Sequence, residues 1–317
     1  MKRIKNLIKS IPFIGNTIVK TYKELIKKRK IYYKKVRRKR DIYYEKARRK
    51  RAQTWSLIHP NDIPMFMPSS AGHVSVICNL TVVSANQTIS LLESLYKKVN
   101  QLEEPKIYST EEFSIALGNA KDDELSKKLE SKFKEYGSDK SKTHNYHLVY
   151  SSLLQNQKNI TGILEIGLGT NNPKVASNMG KGGSPGASLK AFRDVLPDAF
   201  IYGADFDRNI LFEDKRIKTF FVDQTDLNTF KSLDESIDQK LDVIIDDGLH
   251  SMNANLATLN FALTKMDSNS GGAIVIEDIA ERTIPMWKLI FNIIKGKSYR
   301  PYIIKTKSAY MFVCIKK

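Results

Sequence analysis

After Glu130 the chain alternates short, almost wholly apolar runs with stretches of helical spacing, and no other feature restricts the fold so strongly. The apolar runs are GILEIGLG, AFIYGADF, IKTFFVDQ, LDVIIDDG, GGAIVIED, RPYIIKTK and AYMFVCIKK; GASLKAFRDVLP and NANLATLNFALTKM are two of the helical stretches between them. A strand that is apolar at successive positions is covered on both faces, and helical crossovers make successive strands parallel. The pattern therefore predicts an α/β fold: a doubly wound, mostly parallel, Rossmann-like seven-stranded sheet. Only a Lys-Ser link separates the last two runs, which suits a hairpin and predicts an antiparallel strand at the sheet edge.

In such a sheet, ligands bind beyond the carboxyl ends of the strands, where the strand order reverses. The first run ends in EIGLGTNN, in which Gly167 and Gly169 permit a tight turn and close approach of a cofactor, with Glu165 just inside the strand. A glycine-rich insertion, NPKVASNMGKGGSPG, delays the following helix to Ala187, and no G-x-G-x-x-G is present. Both facts count against a dinucleotide on a helix N-terminus. The second run ends in Asp205, placed to accept hydrogen bonds from ribose hydroxyls, and the third in Asp223 and Gln224, where an adenine edge would lie. Each acid has a plainer role open to it as a helix cap, but three such strand ends in succession point to an adenosyl ligand.

Taken in order, EIGLG, the acid of YGADFD, VDQTD, IIDDGLH and IVIED resemble the class I S-adenosylmethionine-dependent methyltransferases, and more narrowly the metal-dependent macrocin O-methyltransferase and cephalosporin hydroxylase-like group. The upstream YGSDKSKTHNYH, Tyr136 to His147, is similar to the segment that precedes the first strand in that group. The resemblance spans about residues 132–317. It implies that the strands ending in IIDD and VIED are neighbours, so that Asp247, Glu277 and Asp278 meet. Three carboxylates at one place repel unless a cation joins them, and hard oxygen ligands suit Mg²⁺ or Mn²⁺. The resemblance further implies that Asp246 lies toward the cofactor; Tyr136 and Lys140 are further candidates for contacting it, Lys140 at the methionine carboxylate or else as a plain solvated charge. His250, three residues after Asp247, is the expected general base; its plainer alternative is a helix-capping or exposed histidine. His144, Tyr146 and His147 are open to cofactor or substrate contact and equally to helix packing.

Charge is distributed unevenly. Residues 1–51 carry 21 Lys and Arg against 3 Asp and Glu, whereas the remaining 31 basic and 31 acidic residues cancel. This arm, residues 1–52, contains an eleven-residue repeat, IYYKKVRRKRD followed by IYYEKARRKRA, which on a helix returns each tyrosine pair to one face. Packing on its own body or on a twin subunit, anionic lipid head groups and nucleic acid all remain open as partners, with nucleic acid the least favoured. Residues 53–130 read as a small accessory segment or lid, in which His59 and His73 lack partners at metal-ligand spacing. Cys78 and Cys314 lie too far apart in a chain too large to suggest a disulfide framework, and no run reaches the length of a membrane span.

The sequence thus predicts a cytoplasmic enzyme, peripheral at the inner face of a membrane if the arm binds lipid. Its expected activity is Mg²⁺-dependent methyl transfer from S-adenosylmethionine to a hydroxyl of a sugar or polyol, free or lipid-linked, in glycan, polysaccharide or natural-product biosynthesis. Three other readings stand beside it: an RNA methyltransferase using the arm, a nicotinamide-dependent oxidoreductase disfavoured by the missing glycine fingerprint, and an inactive scaffold that leaves the carboxylates unexplained.

Overall fold

The computed structural model describes residues 103–119, 124–156, 160–266 and 272–317, together with the helical positions Gln87, Leu91, Ser94 and Lys98. The basic arm, its tyrosine repeat, His59, His73, Cys78 and most of residues 53–130 lie outside the described residues.

The strands are β1 (Ile107–Ser109), β2 (Gly162–Ile166), β3 (Phe200–Asp205), β4 (Glu213–Asp214), β5 (Ile217–Phe221), β6 (Val243–Asp246), β7 (Ala273–Ile279), β8 (Tyr299–Lys305) and β9 (Tyr310–Lys316). The helices are α1 (Thr110–Ala116), α2 (Glu124–Tyr136), α3 (Tyr146–Gln155), α4 (Ala187–Val195), α5 (Leu227–Ser236), α6 (Met252–Lys265) and α7 (Ile284–Ile294). All nine described strands form one sheet in the order β1-β8-β9-β7-β6-β2-β3-β5-β4. The seven expected strands are all present; β1 and the two-residue β4 extend the sheet at its two edges. β1 pairs in parallel with β8, so the sheet takes in part of the stretch expected to be a separate accessory segment. The compact unit that holds the sheet is Thr88–Lys317.

The antiparallel strand of the final hairpin does not lie at the edge, although the two-residue β4 at the opposite edge is antiparallel to β5. β9 runs antiparallel to β7 on one side and β8 on the other. Tyr310 to Cys314 are buried, and an apolar strand of this kind gains most when both its edges are paired and both its faces covered. Helices cover both faces of the sheet. One layer packs Phe113, Phe133, Tyr150 and Phe192 of α1–α4 against Ile163, Ile201, Ile245 and Val275; the other packs Phe230, Phe261 and Trp287 of α5–α7 against Leu164, Ile244, Ile274 and Phe312. Successive residues of β2, β6 and β7 go to opposite layers, which is why these strands read as continuous apolar runs. Among the described residues no helix is long and apolar enough to cross a membrane.

The chain proceeds from β2 outward to β3 and β5, then returns to place β6 on the other side of β2. This reversal opens a crevice beyond the carboxyl ends of β2 and β6.

Candidate active site at the carboxyl ends of the strands

Sheet register determines what meets at that crevice. Ile166 pairs with Ala204 on one side and Asp246 on the other, and Asp246 pairs with Ile276. The next residues, Asp205, Gly167, Asp247 and Glu277, therefore stand level across four adjacent strands spaced roughly 4.8 Å apart. Gly167 has φ +98°, and a Cβ there would lie 2.0 Å from the Asp247 carbonyl oxygen, so this position admits glycine alone. The expected adjacency of the IIDD and VIED strands is observed.

Two groups of side chains form there. The first is closed. Lys140, 2% exposed, brings its ammonium to 2.7 Å from Asp247 Oδ2 and 3.1 Å from Glu165 Oε1, and also pairs with Glu277 Oε2. Ser188 donates to the other Glu165 oxygen, and the Tyr150 hydroxyl donates to the other Glu277 oxygen. Burial by itself would discharge this ammonium, but Asp247, Glu277 and Glu165 together hold its pKa well above the usual lysine value. Burial conversely pushes Glu277 and Glu165 upward, opposed chiefly by Lys140.

The second group is open. Asp247, His250 and Asp278 each offer a ligand atom, and these atoms lie within 4.8 Å of one another. His250 Nε2 stands 4.0 Å from Asp247 Oδ1 and 3.8 Å from Asp278 Oδ2, beyond hydrogen-bond range of either. The expected approach of His250 to Asp247 is present, but a left-handed residue produces it rather than a helical turn: His250 has φ 54°, and α6 starts only at Met252. Asp278 also has positive φ, 52°, at a register shift between Ile276 and Ile279 in the β7–β9 ladder. The irregularity separates two consecutive acids, Glu277 to the buried group and Asp278 to the opening. Two left-handed non-glycine residues at one site mark backbone strain held by the surrounding fold.

Asp278 is positioned from α3 and the β8–β9 hairpin. Tyr146 donates to Asp278 Oδ1 at 2.5 Å, and His144 Nδ1 lies 3.5 Å from the same oxygen and 2.5 Å from Ser308 Oγ. Burial lowers the His144 pKa, but Asp139 and Asp278 outweigh it and raise the value overall. Tyr146 and Tyr150, four residues apart on one face of α3, thus bind the consecutive acids Asp278 and Glu277. The Tyr150 and Ser188 contacts were not evident in the sequence; the Tyr-x-x-x-Tyr spacing that begins at Tyr146 within the similar upstream segment is the signal that points to Tyr150.

Several expected cofactor residues have contacts within the protein. Asp205 accepts backbone N–H bonds from Leu168 and Asp207, both at 2.7 Å, which ties the glycine turn to β3; burial raises its pKa. Gly169 has φ +75° and is overlain by the Met179 side chain. Gln224 accepts from Leu249 N and donates to Asp246 and Thr258, while Asp223 receives the Thr225 backbone and hydroxyl. Asp246 is fully buried and accepts from Gln224, Asn255 and Gly248 N; burial, opposed by Asn255 and Gln224, raises its pKa. Tyr136 lies elsewhere in the contact network: its hydroxyl donates to Asp194 and accepts from Arg193, joining α2 to α4.

A divalent cation fits the open group. Two carboxylates and an imidazole with no hydrogen-bond partner among the described residues face one opening, whereas both oxygens of Glu277 are already engaged by Lys140 and Tyr150. The absence of a Cβ at Gly167 is what lets the Asp247–Gly248 backbone pack against the end of β2.

The order β5-β3-β2-β6-β7-β9-β8, with β9 antiparallel to both β7 and β8, is that of a doubly wound, mostly parallel Rossmann-like α/β sheet. No family model matches the chain. The chain is similar to an 8-demethyl-8-alpha-L-rhamnosyl tetracenomycin-C 2'-O-methyltransferase from Streptomyces olivaceus, 28% identical over 145 residues, which are 45% of this chain and 35% of that protein. It therefore spans about a third of the length of that curated relative. Among solved structures, the MycE methyltransferase from the mycinamycin biosynthetic pathway, in complex with Mg, SAH and mycinamycin VI, is similar at 20% identity and a TM-score of 0.48, over 60% of this chain and 54% of that one. Human methyltransferase-like protein 13 in complex with SAH is similar at 15% identity and a TM-score of 0.34, over 52% of this chain and 73% of that one.

Proposed function

We propose that the protein is a Mg²⁺-dependent O-methyltransferase that moves a methyl group from S-adenosylmethionine to a hydroxyl of a sugar. The observation that carries this reading is the convergence of Asp247, His250 and Asp278 beside the Gly167 turn. The sugar 2'-O-methyltransferase name of the Streptomyces olivaceus relative supports the acceptor class.

Asp247 and Asp278 would hold the metal, with Glu277 behind them and able to reach it only by giving up Lys140 or Tyr150. When bound, the metal supplies positive charge that favours ionisation of the acceptor hydroxyl, and S-adenosylmethionine supplies an electrophilic methyl group. His250 Nε2, free of any carboxylate bond, takes the hydroxyl proton. Asp205 and Gly167 border the nucleoside; Glu165 and Asp246 support the strand ends, Glu165 through Lys140 and Asp246 through Gln224. The arm, with its excess positive charge, would hold the enzyme against an anionic membrane face where glycans are assembled.

Isothermal titration of the full chain with S-adenosylmethionine, with and without Mg²⁺, tests the reading. Binding with micromolar affinity is expected, and no binding in either condition overturns it. His250→Gln should retain cofactor binding while reducing turnover by about 10²–10⁴-fold.

A further inference from the structure

Beside Asp278 lies a cleft of about 380 Å³ bounded on one side by Asp278 to Glu281 and on the other by the β8–β9 hairpin, Lys305 to Tyr310. Its size falls within the roughly 300–1,000 Å³ of small-molecule sites, and it shares Asp278 with the candidate metal group. Charge across it is polarised. The β7 side carries the carboxylates of Asp278 and Glu281, the latter accepting from Tyr310 at 3.3 Å. The hairpin side carries Lys305 and Lys307. Among the described residues neither lysine pairs with a carboxylate: the Lys305 ammonium lies 5.8 Å from the centroid of the Tyr310 ring, and the Lys307 ammonium bonds the Lys142 carbonyl at 3.1 Å.

The hairpin is also held in place. Lys307 N donates to Asn145 at the start of α3, Ser308 meets His144, and Thr306 closes the turn on Ala309. Both lysines therefore project from a backbone fixed relative to Asp278, and their ammonium groups keep N–H donors available for a ligand.

Both lysines are exposed residues lining the cleft, so a neutral sugar offers them no counter-charge, whereas a sugar bearing an anionic substituent does. We propose that this cleft is the acceptor site and that it takes a saccharide carrying a phosphate or carboxylate, with the anion on Lys305 and Lys307 and the reacting hydroxyl toward Asp278 and His250. The inference rests on the methyltransferase reading and deepens it. Charge sets the orientation: the reversed pose would place the anion against Asp278 and leave the lysines unpaired.

The test titrates the full chain, with Mg²⁺ and S-adenosylhomocysteine present, with glucose 1-phosphate, glucuronate and glucose, in wild type and in the Lys305→Ala/Lys307→Ala double variant. At least one anionic sugar should bind roughly tenfold or more tightly than glucose, lose that advantage in the double variant, and weaken as salt rises. Whichever of the two anionic sugars binds more tightly identifies the substituent. Equal binding of glucose, binding by none of the three, or an anion preference that survives in the double variant overturns the inference. S-adenosylmethionine is titrated into the same preparations. Failure there removes the methyltransferase reading itself, whereas retained cofactor binding without anion preference removes only the acceptor assignment.

Discussion

The buried group around Lys140 and the open group around His250 are built from adjacent residues of the same strands, yet they handle negative charge in opposite ways. Glu165 and Glu277, 0% and 1% exposed, face an ammonium supplied from 137 residues upstream of Glu277 and two hydroxyls, so their charge is matched inside the protein. Asp278 receives a phenol and a nearby imidazole, and Asp247 shares Lys140 on one oxygen while turning the other to the opening. A buried carboxylate with a resident cation is a fixed part of the fold. One left facing solvent with an unbonded imidazole can accept a cation from outside. The boundary between these roles runs between two consecutive residues, Glu277 and Asp278, and the irregularity in β7 makes the division possible.

Removing the resident cation should break the closed group outright. Lys140→Met leaves Glu165 and Glu277 buried without counter-charge, and a loss of about 3–5 kcal/mol is expected. A melting temperature lower by roughly 10 °C follows for a domain of this size. Adding Glu277→Gln to Lys140→Met should recover part of the loss in urea melts. If the single variant melts within about 1 kcal/mol of wild type, the ammonium is not what neutralises the group.

The glycine turn tests how the two groups are joined. Gly167→Ala places a methyl group against the Asp247 carbonyl at positive φ, so a cost of about 2–3 kcal/mol is expected. Because Asp247 belongs to both groups, the same variant should also weaken Mg²⁺ binding, which titration of the folded variant measures.

Asp278→Asn should separate the groups in the other direction. The amide still accepts from Tyr146 and tolerates the left-handed backbone, so metal-free stability should stay within about 1 kcal/mol of wild type. Wild type should gain about 2.7 kcal/mol at Mg²⁺ concentrations 100-fold above Kd, and the variant should gain almost none. Equal Mg²⁺-induced shifts in melting temperature would remove Asp278 from the proposed ligands.

Much of this layout is legible in sequence because it follows from local pattern. Apolar runs gave the interior strands, and acids at the ends of those runs gave Asp205, Asp247, Glu277 and Asp278. The glycine pair marked a turn, while the adjacency of β6 and β7 came only from the family resemblance. What stayed hidden depends on contacts between distant segments or on single backbone angles. Lys140 reads in the sequence as a contact of the methionine carboxylate or as a solvated charge, and only the folded chain carries it to Glu277. The insertion of β9 between β7 and β8 follows from pairing both edges of a buried strand, which apolar composition alone does not specify. The left-handed angle at His250 likewise has no marker: histidine enters that region more readily than most non-glycine residues, but its presence alone does not specify the angle.

The smallest expected effect compares two histidines three residues apart. His144, at the rim of the open group, is held above the ordinary 6.5 despite burial, by Asp139 and Asp278. His147 is pushed below it by burial, with Glu130 opposing and Lys134 adding to the shift, and its Nδ1 lacks a hydrogen-bond partner among the described residues. Above pH 6.5 His147 is neutral whether folded or unfolded, and its contribution to stability is fully present. As pH falls from 6.5 through the lowered folded value, the unfolded chain takes up the proton first, and that contribution is lost. Urea midpoints at pH 7.5 and 5.5 should therefore fall less in His147→Gln than in wild type. The His144 contribution runs the other way, present below pH 6.5 and lost as pH rises through the raised folded value. A His147 ring that titrates above 6.5 by NMR would place it in surroundings like those of the open group and erase the contrast between the two faces of this segment.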